Sequence, residues 1–215
     1  MDEAEARKKI AELGLQMLED GLTTGTGGNI SYRLPNEDYI LISPSGIPYG
    51  EINPEDIPLV NMKGSSPRRT PAEPSSELPL HLKLYKGKER IKSIVHTHSP
   101  FASAIAAMGK SIPPIYYLIA FVGAEVPLAE YATFGTERIG ESALAALGEG
   151  NGVLLEKHGS LAVGNSLDHA YRVASLIEEL AKIYYRTMSA GAVPEPLEEA
   201  EIEKLQEKFQ DYGEL

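Results

Sequence analysis

Ile91-Lys92-Ser93-Ile94-Val95-His96-Thr97-His98 runs directly into Ser99-Pro100. Residues 91–96 read as a β-strand, and Ser99-Pro100 as the N-cap and first-turn pair of a helix over 100–108. A strand carries residues i and i+2 on one face, so two imidazoles project side by side from its end. A third histidine has a comparable place: His158 closes the run Gly152-Val153-Leu154-Leu155-Glu156-Lys157, just before Gly159. Three of the chain's five histidines therefore stand at strand ends. Histidines of this kind suit a catalytic zinc site, which commonly has three protein ligands and one open position. They are also compatible with imidazoles that merely cap strands and bond to backbone.

Outward from this stretch, residues 2–20 read as an amphipathic helix with Ala6, Ile10, Leu13 and Met17 on one face and Gly21 at its left-handed end. Asn29–Leu34 and Tyr39–Ser43 form an expected hairpin, and 57–62 a short strand. Ser75-Ser76-Glu77 opens a helix to about Lys86, with Pro79 tolerable only in its first turn. Residues 112–122 are apolar and fit either element type. A strand over 125–131, a helix over 135–147, strands over 152–157 and 160–164, a long helix over 168–189 and a last helix over 197–210 complete the chain. No linker or repeat is visible. One domain over 1–215 is expected, ending in a C-terminal tail helix, 197–215. The expected fold is three-layer α/β, with a largely antiparallel central sheet flanked by helices.

The composition narrows the chemistry. There is no cysteine, so metal ligands must be His, Asp or Glu. The net charge of −11 argues against a nucleic-acid footprint, and Arg68-Arg69 reads as solvated loop charge. No apolar run is long enough for a membrane span. The acidic start Met1-Asp2-Glu3-Ala4-Glu5 has no signal-peptide core, and a cytoplasmic protein is expected.

Glu77 reads either as a first-turn glutamate favoured by the helix dipole or as a general base beside a metal. His81, four residues on, shares its helix face. It is expected to hydrogen-bond Glu77 and orient the carboxylate, a fourth-ligand role being the alternative. His169 reads as structural, at a helix start. Gly25-Thr26-Gly27-Gly28-Asn29, Ser45-Gly46 and Ser75-Ser76 are each compatible with plain turns. Together with a helix N-terminus they could enclose an anion without Lys or Arg.

The motifs Gly25-Thr26-Gly27-Gly28-Asn29, Ser43-Pro44-Ser45-Gly46-Ile47-Pro48-Tyr49, Ser75-Ser76-Glu77, His96-Thr97-His98, Tyr131-Ala132-Thr133-Phe134-Gly135, Lys157-His158-Gly159 and Glu207-Lys208-Phe209-Gln210-Asp211-Tyr212-Gly213 occur in this order over nearly the whole chain. In this the chain resembles the class II aldolase/adducin-head family, in particular its L-fuculose-1-phosphate aldolase branch. The resemblance implies one Zn²⁺ per subunit held by His96, His98 and His158, with Glu77 as the catalytic carboxylate and a further ligand when substrate is absent. It implies a phosphate pocket of Asn29, Ser45, Gly46, Ser75 and Ser76, shaped by Thr26 and Gly28. It also implies a catalytic Tyr117 given by a neighbouring subunit, site closure by a tail Tyr212, and a homotetramer with sites between subunits. The implied reaction is reversible cleavage of a ketose 1-phosphate, L-fuculose 1-phosphate or a 5-deoxypentulose 1-phosphate, to dihydroxyacetone phosphate and a short aldehyde such as L-lactaldehyde. Lys157 and Ser45 depart from the fuculose pattern, which has histidine and often threonine there, and residues 64–74 differ in length and composition. The related alternatives are a pentulose-phosphate 4-epimerase, a methylthioribulose-1-phosphate dehydratase and a scaffold module like the adducin head. Glu77 stands against the epimerases, which tend to carry aspartate there.

Overall fold

Alternation along each strand decides the architecture. In β2 (Tyr39–Ile42), Leu41 points to one side of the sheet while Ile40 and Ile42 point to the other. β4 (Ser93–Thr97) divides Val95 from Ile94 in the same way, and β7 (Gly159–Gly164) divides Ala162 from Leu161 and Val163. Strands apolar on both faces need helices on both. The computed structural model, which describes residues 1–35, 38–67 and 70–211, supplies them. One face carries α1 (Glu3–Glu19), α3 (Pro100–Ala107), α4 (Ile119–Val122), α6 (Leu167–Ser189) and, at its margin, α7 (Glu199–Asp211). The other carries α2 (Leu78–Gly87) and α5 (Glu137–Leu147). Each Leu, Ile or Val buried this way contributes about 1.5–3 kcal/mol.

The seven strands lie in the order β3-β2-β1-β4-β7-β6-β5. Here β1 is Asn29–Arg33, β3 Leu59–Asn61, β5 Leu128–Ala129 and β6 Gly152–Leu155. Every pairing is antiparallel except β5 with β6, so the expected three-layer, largely antiparallel sheet is what forms. The β1–β2 hairpin and all the expected long helices are present, and the open segment 112–122 yields only the short α4 after the bridge Ile112–Val126. α1 buries Ala6, Ile10, Leu13 and Met17, opens with a capping box of Asp2 and Glu5, and ends before Gly21 at φ 70°.

Three local expectations need correction. The strand expected over 152–157 stops at Leu155, because Leu155 already pairs with Gly159 and Lys157 takes the left-handed region at φ 55°. His158 therefore sits in the hairpin loop and not at a strand's end. The strand expected over 125–131 shrinks to Leu128–Ala129. Ser99 holds the N-cap position of α3 but makes no capping bond; the Glu178 carboxylate of α6 accepts from the Phe101 and Ala102 nitrogens at 2.9–3.1 Å instead. No helix among the described residues is long and apolar enough to cross a membrane. Of the tail helix expected over 197–215, Glu199–Asp211 is helical, and residues 212–215 lie outside the described residues.

The β7–α6 corner sets a tight tolerance. A Cβ on Gly164 would stand 2.6 Å from the Ala170 nitrogen and 3.0 Å from its Cα, both backbone atoms that cannot move aside. Gly164→Ala is expected to cost about 1–3 kcal/mol and to lower the melting temperature by several degrees in calorimetry. Gly50→Ala, built into open space, should stay within about 0.5 kcal/mol of the parent. Equal melting temperatures for the two variants would contradict this packing.

Candidate active site

Four side chains from three elements meet on the α2 side of the sheet. His96 lies within β4 and shares the parity of Ile94, so it faces α2, and His98 follows it just past the strand. Their Nε2 atoms are 3.0 Å apart, an approach that side chains on one strand face allow. The β6–β7 hairpin loop brings His158 in, with its ring centre 4.8 Å from that of His96 and 5.1 Å from that of His98. Glu77, at the N-cap of α2, completes the set: its carboxylate oxygens lie 3.1 Å from His96 Nε2 and 3.4 Å from His158 Nε2. One donor atom from each of the four lies within 4.8 Å of all the others.

Glu77 does not cap its helix. Its side chain makes no capping bond, and Ser75 Oγ accepts from the Glu77 nitrogen at 3.2 Å. The carboxylate turns instead into the cluster, where it is 5% exposed. Burial alone would keep it protonated. The opposing charge and hydrogen bond of His96, then His158 and Asn29, outweigh burial and hold its carboxyl well below the usual range. His96 answers in kind: burial disfavours its charge, but Glu77 and the Ser160 carbonyl raise its pKa. Burial and repulsion from His96 push both His98 and His158 down to about 4. Glu77 and His96 thus each favour the other's charged form, beside the two neutral imidazoles of His98 and His158.

Two observations show that these residues fit a divalent cation. His96 Nδ1 donates to the Ser160 carbonyl at 2.8 Å, which turns Nε2 inward as a lone-pair donor once the ring is neutral. Glu77 Oε1 is buried and accepts no hydrogen bond. Three imidazoles and a carboxylate are a nitrogen and oxygen donor set suited to Zn²⁺ and its neighbours.

The expected phosphate residues gather beside the cluster. A cavity of about 370 Å³ is lined by Thr26, Gly27, Gly28, Asn29, Pro44, Ser45, Gly46, Ser75, Ser76, Glu77, His98, Phe134 and His158. The Pro44–Pro74 bridge brings the two serine turns together. The glycine loop is small because histidines lie against it: a Cβ on Gly28 would meet the His96 carbonyl at 2.6 Å, and one on Gly27 would meet His98 Nδ1 at 2.8 Å. Among the described lining residues none is Lys or Arg.

One expectation shifts. His81 does not touch the Glu77 carboxylate; its Nε2 meets Asn29 Oδ1 at 2.5 Å, and Asn29 Nδ2 donates to Glu77 Oε2 at 2.9 Å. Asn29 therefore spends part of its amide within the protein. Tyr117 lies outside this cavity, half-exposed and stacked on Phe209 at 6.3 Å, and Tyr212 lies outside the described residues. His169 is structural as expected, its nitrogen bonded to Ser166 Oγ and its ring against Phe121. Sequence reasoning missed Phe134 as a lining residue, and also Tyr49, whose hydroxyl donates to the Gly28 carbonyl at 2.8 Å and braces the loop. Both stand in motifs quoted above, which is the signal that could have found them.

The sequence profile of the class II aldolase and adducin N-terminal domain matches residues 8–185. The chain belongs to that family. It is 44% identical over 207 residues to the 5-deoxy-D-ribulose 1-phosphate aldolase of Bacillus thuringiensis serovar kurstaki, covering 96% of each chain. It is 36% identical over 208 residues to the 5-methylthioribulose-1-phosphate/5-deoxyribulose-1-phosphate aldolase of Rhodospirillum rubrum, covering 96% of this chain and 92% of the relative. A solved L-fuculose 1-phosphate aldolase superposes with a TM-score of 0.92 at 34% identity over 96% of both chains.

Metal binding tests the ion-pair assignment. A cation competes with the proton that Glu77 favours on His96, while Glu77 is held ionised and His98 and His158 are neutral. Calorimetric titration of stripped protein with Zn²⁺ near pH 7, in buffers of different ionisation enthalpy, should show net proton release on binding. Affinity should fall as pH falls, and His96→Ala should abolish binding. Binding without proton release would mean that His96 is neutral beforehand.

Proposed function

We propose that the chain is a zinc-dependent aldolase that reversibly cleaves a 5-deoxypentulose 1-phosphate, or the related L-fuculose 1-phosphate, to dihydroxyacetone phosphate and a short aldehyde. The observation that carries this is the convergence of Glu77, His96, His98 and His158 at the edge of a hydroxyl-rich cavity whose described lining residues include no Lys or Arg. The relatives order the substrates. The fuculose resemblance puts L-fuculose 1-phosphate first, whereas the 44% identical relative is a 5-deoxy-D-ribulose 1-phosphate aldolase and moves the pentulose ahead. Cleavage between C3 and C4 of that pentulose gives acetaldehyde, and the same cleavage of the fuculose ester gives lactaldehyde.

In this reading His96, His98 and His158 hold the ion and Glu77 is the exchangeable fourth ligand. The bound ion supplies Lewis acidity at the carbonyl end of the substrate. The phosphate sits against Ser45, Ser75, Ser76 and the amides of Gly28 and Gly46, with the start of α2 adding its dipole. Thr26 shapes this pocket. Glu77, kept ionised by its neighbours, moves the proton at C3 of the dihydroxyacetone phosphate half. No lysine is needed as a nucleophile, which agrees with a cavity that has none among the described lining residues. Tyr117 serves the aldehyde oxygen of a neighbouring subunit's site and Tyr212 closes an adjacent one, in a homotetramer. Exposure of Tyr117 outside its own cavity supports that arrangement. The whole chain acts as one catalytic domain in the cytoplasm.

Release of dihydroxyacetone phosphate from each ester, with EDTA-stripped and zinc-restored protein in parallel, tests the reading. Zinc-dependent release is expected, faster for the pentulose. Absence of release with zinc bound, or formation of a different product, would overturn it. Glu77→Gln should keep the ion on its three histidines and lose about 10²-fold or more in kcat. Full turnover by that variant would remove Glu77 from the chemistry.

A further inference from the structure

Behind Glu77 lies a row of buried polar side chains that the proposed reaction does not use. α2 carries Glu77, His81 and Tyr85 at intervals of four, on one helix face. β1 carries Asn29 and Ser31 at an interval of two, on one strand face. The two faces interlock. Tyr85 Oη and Ser31 Oγ are 2.7 Å apart, Ser31 Oγ and His81 Nδ1 2.6 Å, His81 Nε2 and Asn29 Oδ1 2.5 Å, and Asn29 Nδ2 and Glu77 Oε2 2.9 Å. All five residues are buried, and Ser31 and His81 are 0% exposed.

The donors can be assigned in only one way. A carboxylate only accepts, so Asn29 presents its Nδ2 to Glu77 and its Oδ1 to His81. Oδ1 only accepts, so His81 Nε2 carries a hydrogen. A neutral imidazole has one such hydrogen, so Nδ1 accepts from Ser31. The single Ser31 hydrogen is then spent, and Tyr85 donates to Ser31. Every hydrogen points toward Glu77. An amide stands between His81 and the carboxylate and keeps its protons at neutral pH, so the row orients groups and conducts no proton. Burial, which pushes His81 down to about 3, keeps the ring in the neutral form that this pattern needs.

We propose that His81 is a positioning residue: through Asn29 it fixes the Glu77 carboxylate toward the histidine cluster and leaves the second Asn29 Nδ2 hydrogen for a substrate oxygen. This rests on Glu77 being the proton-transferring carboxylate. Without His81, the Asn29 amide keeps its bond to Glu77 but loses the second contact that holds its side chain in place.

Two readouts test it. ¹⁵N NMR of the zinc-loaded parent should show His81 as the neutral Nε2–H tautomer, with Nδ1 of the lone-pair type. His81→Leu should keep stoichiometric zinc and lose about 10–100-fold in kcat, with KM changed by less than about threefold. His81→Gln, which can still donate to Asn29 Oδ1, should recover much of that loss. An Nδ1–H or cationic His81 would overturn the proposal, and that measurement needs no variant to fold. So would His81→Leu with parental kcat, a kcat loss matched by zinc loss, or a glutamine variant no better than leucine. If the zinc-loaded parent cleaves no ketose 1-phosphate, the functional reading fails by itself, and the tautomer still decides whether the relay exists.

Discussion

The structure depends on keeping a largely buried carboxylate charged. Ionising a buried, unpaired carboxylate costs several kcal/mol even after relaxation, yet Glu77 is 5% exposed and held ionised. The compensation comes from His96, Asn29 and His158, which belong to three segments far apart in the chain. Those contacts constrain the start of α2 against the centre of the sheet, where β4 lies between β1 and β7. The same constraint explains the glycine loop before β1. Asn29 pairs with His96 across the sheet, so the residues just before it must pass over the His96 backbone, and Gly28 has no room for a Cβ.

Much of this could be read in the residues. The hairpin, α1 and the two-faced strands followed from period and turn chemistry, since each is decided by its own local pattern. His96 and His98 could be paired from sequence because the strand itself spaces them. His158 could be nominated but not located. Its loop begins where Leu155 pairs with Gly159, and pairing register is a tertiary fact. Lys157 takes the left-handed conformation there at a cost of roughly 1–2 kcal/mol for a residue with a side chain. Nothing in its identity announces that. Ser99 shows the same limit. The residue type and position were right for a cap, but the Glu178 carboxylate, 77 residues beyond Phe101, satisfies the α3 amides better, and no local rule sees it.

His81 is the instructive case. Spacing placed it on the face of Glu77, and the simplest inference joined the two directly. The structure inserts Asn29, because β1 faces this side of α2 and offers an amide that can bond to both residues at once. A four-residue period on a helix and a two-residue period on a strand can be recognised separately. Their interlock needs the distance between the two elements, which the surrounding leucines set.

Those leucines also indicate what the row is for. Leu78, Leu80, Leu82 and Leu84 alternate with the polar positions of α2 and are all buried. A helix selected for stability alone would carry apolar residues at 81 and 85 too, since replacing a buried polar network by well-packed hydrocarbon is often neutral or stabilising. Instead the row is retained, and nearly every polar atom along it has a partner. The exception is Glu77 Oε1, which lies 3.4 Å from His158 Nε2 and accepts no hydrogen bond. In a network otherwise completed atom by atom, the atom left without a hydrogen bond belongs to the carboxylate that meets the histidines. The stabilising contacts end where the chemistry is proposed to begin.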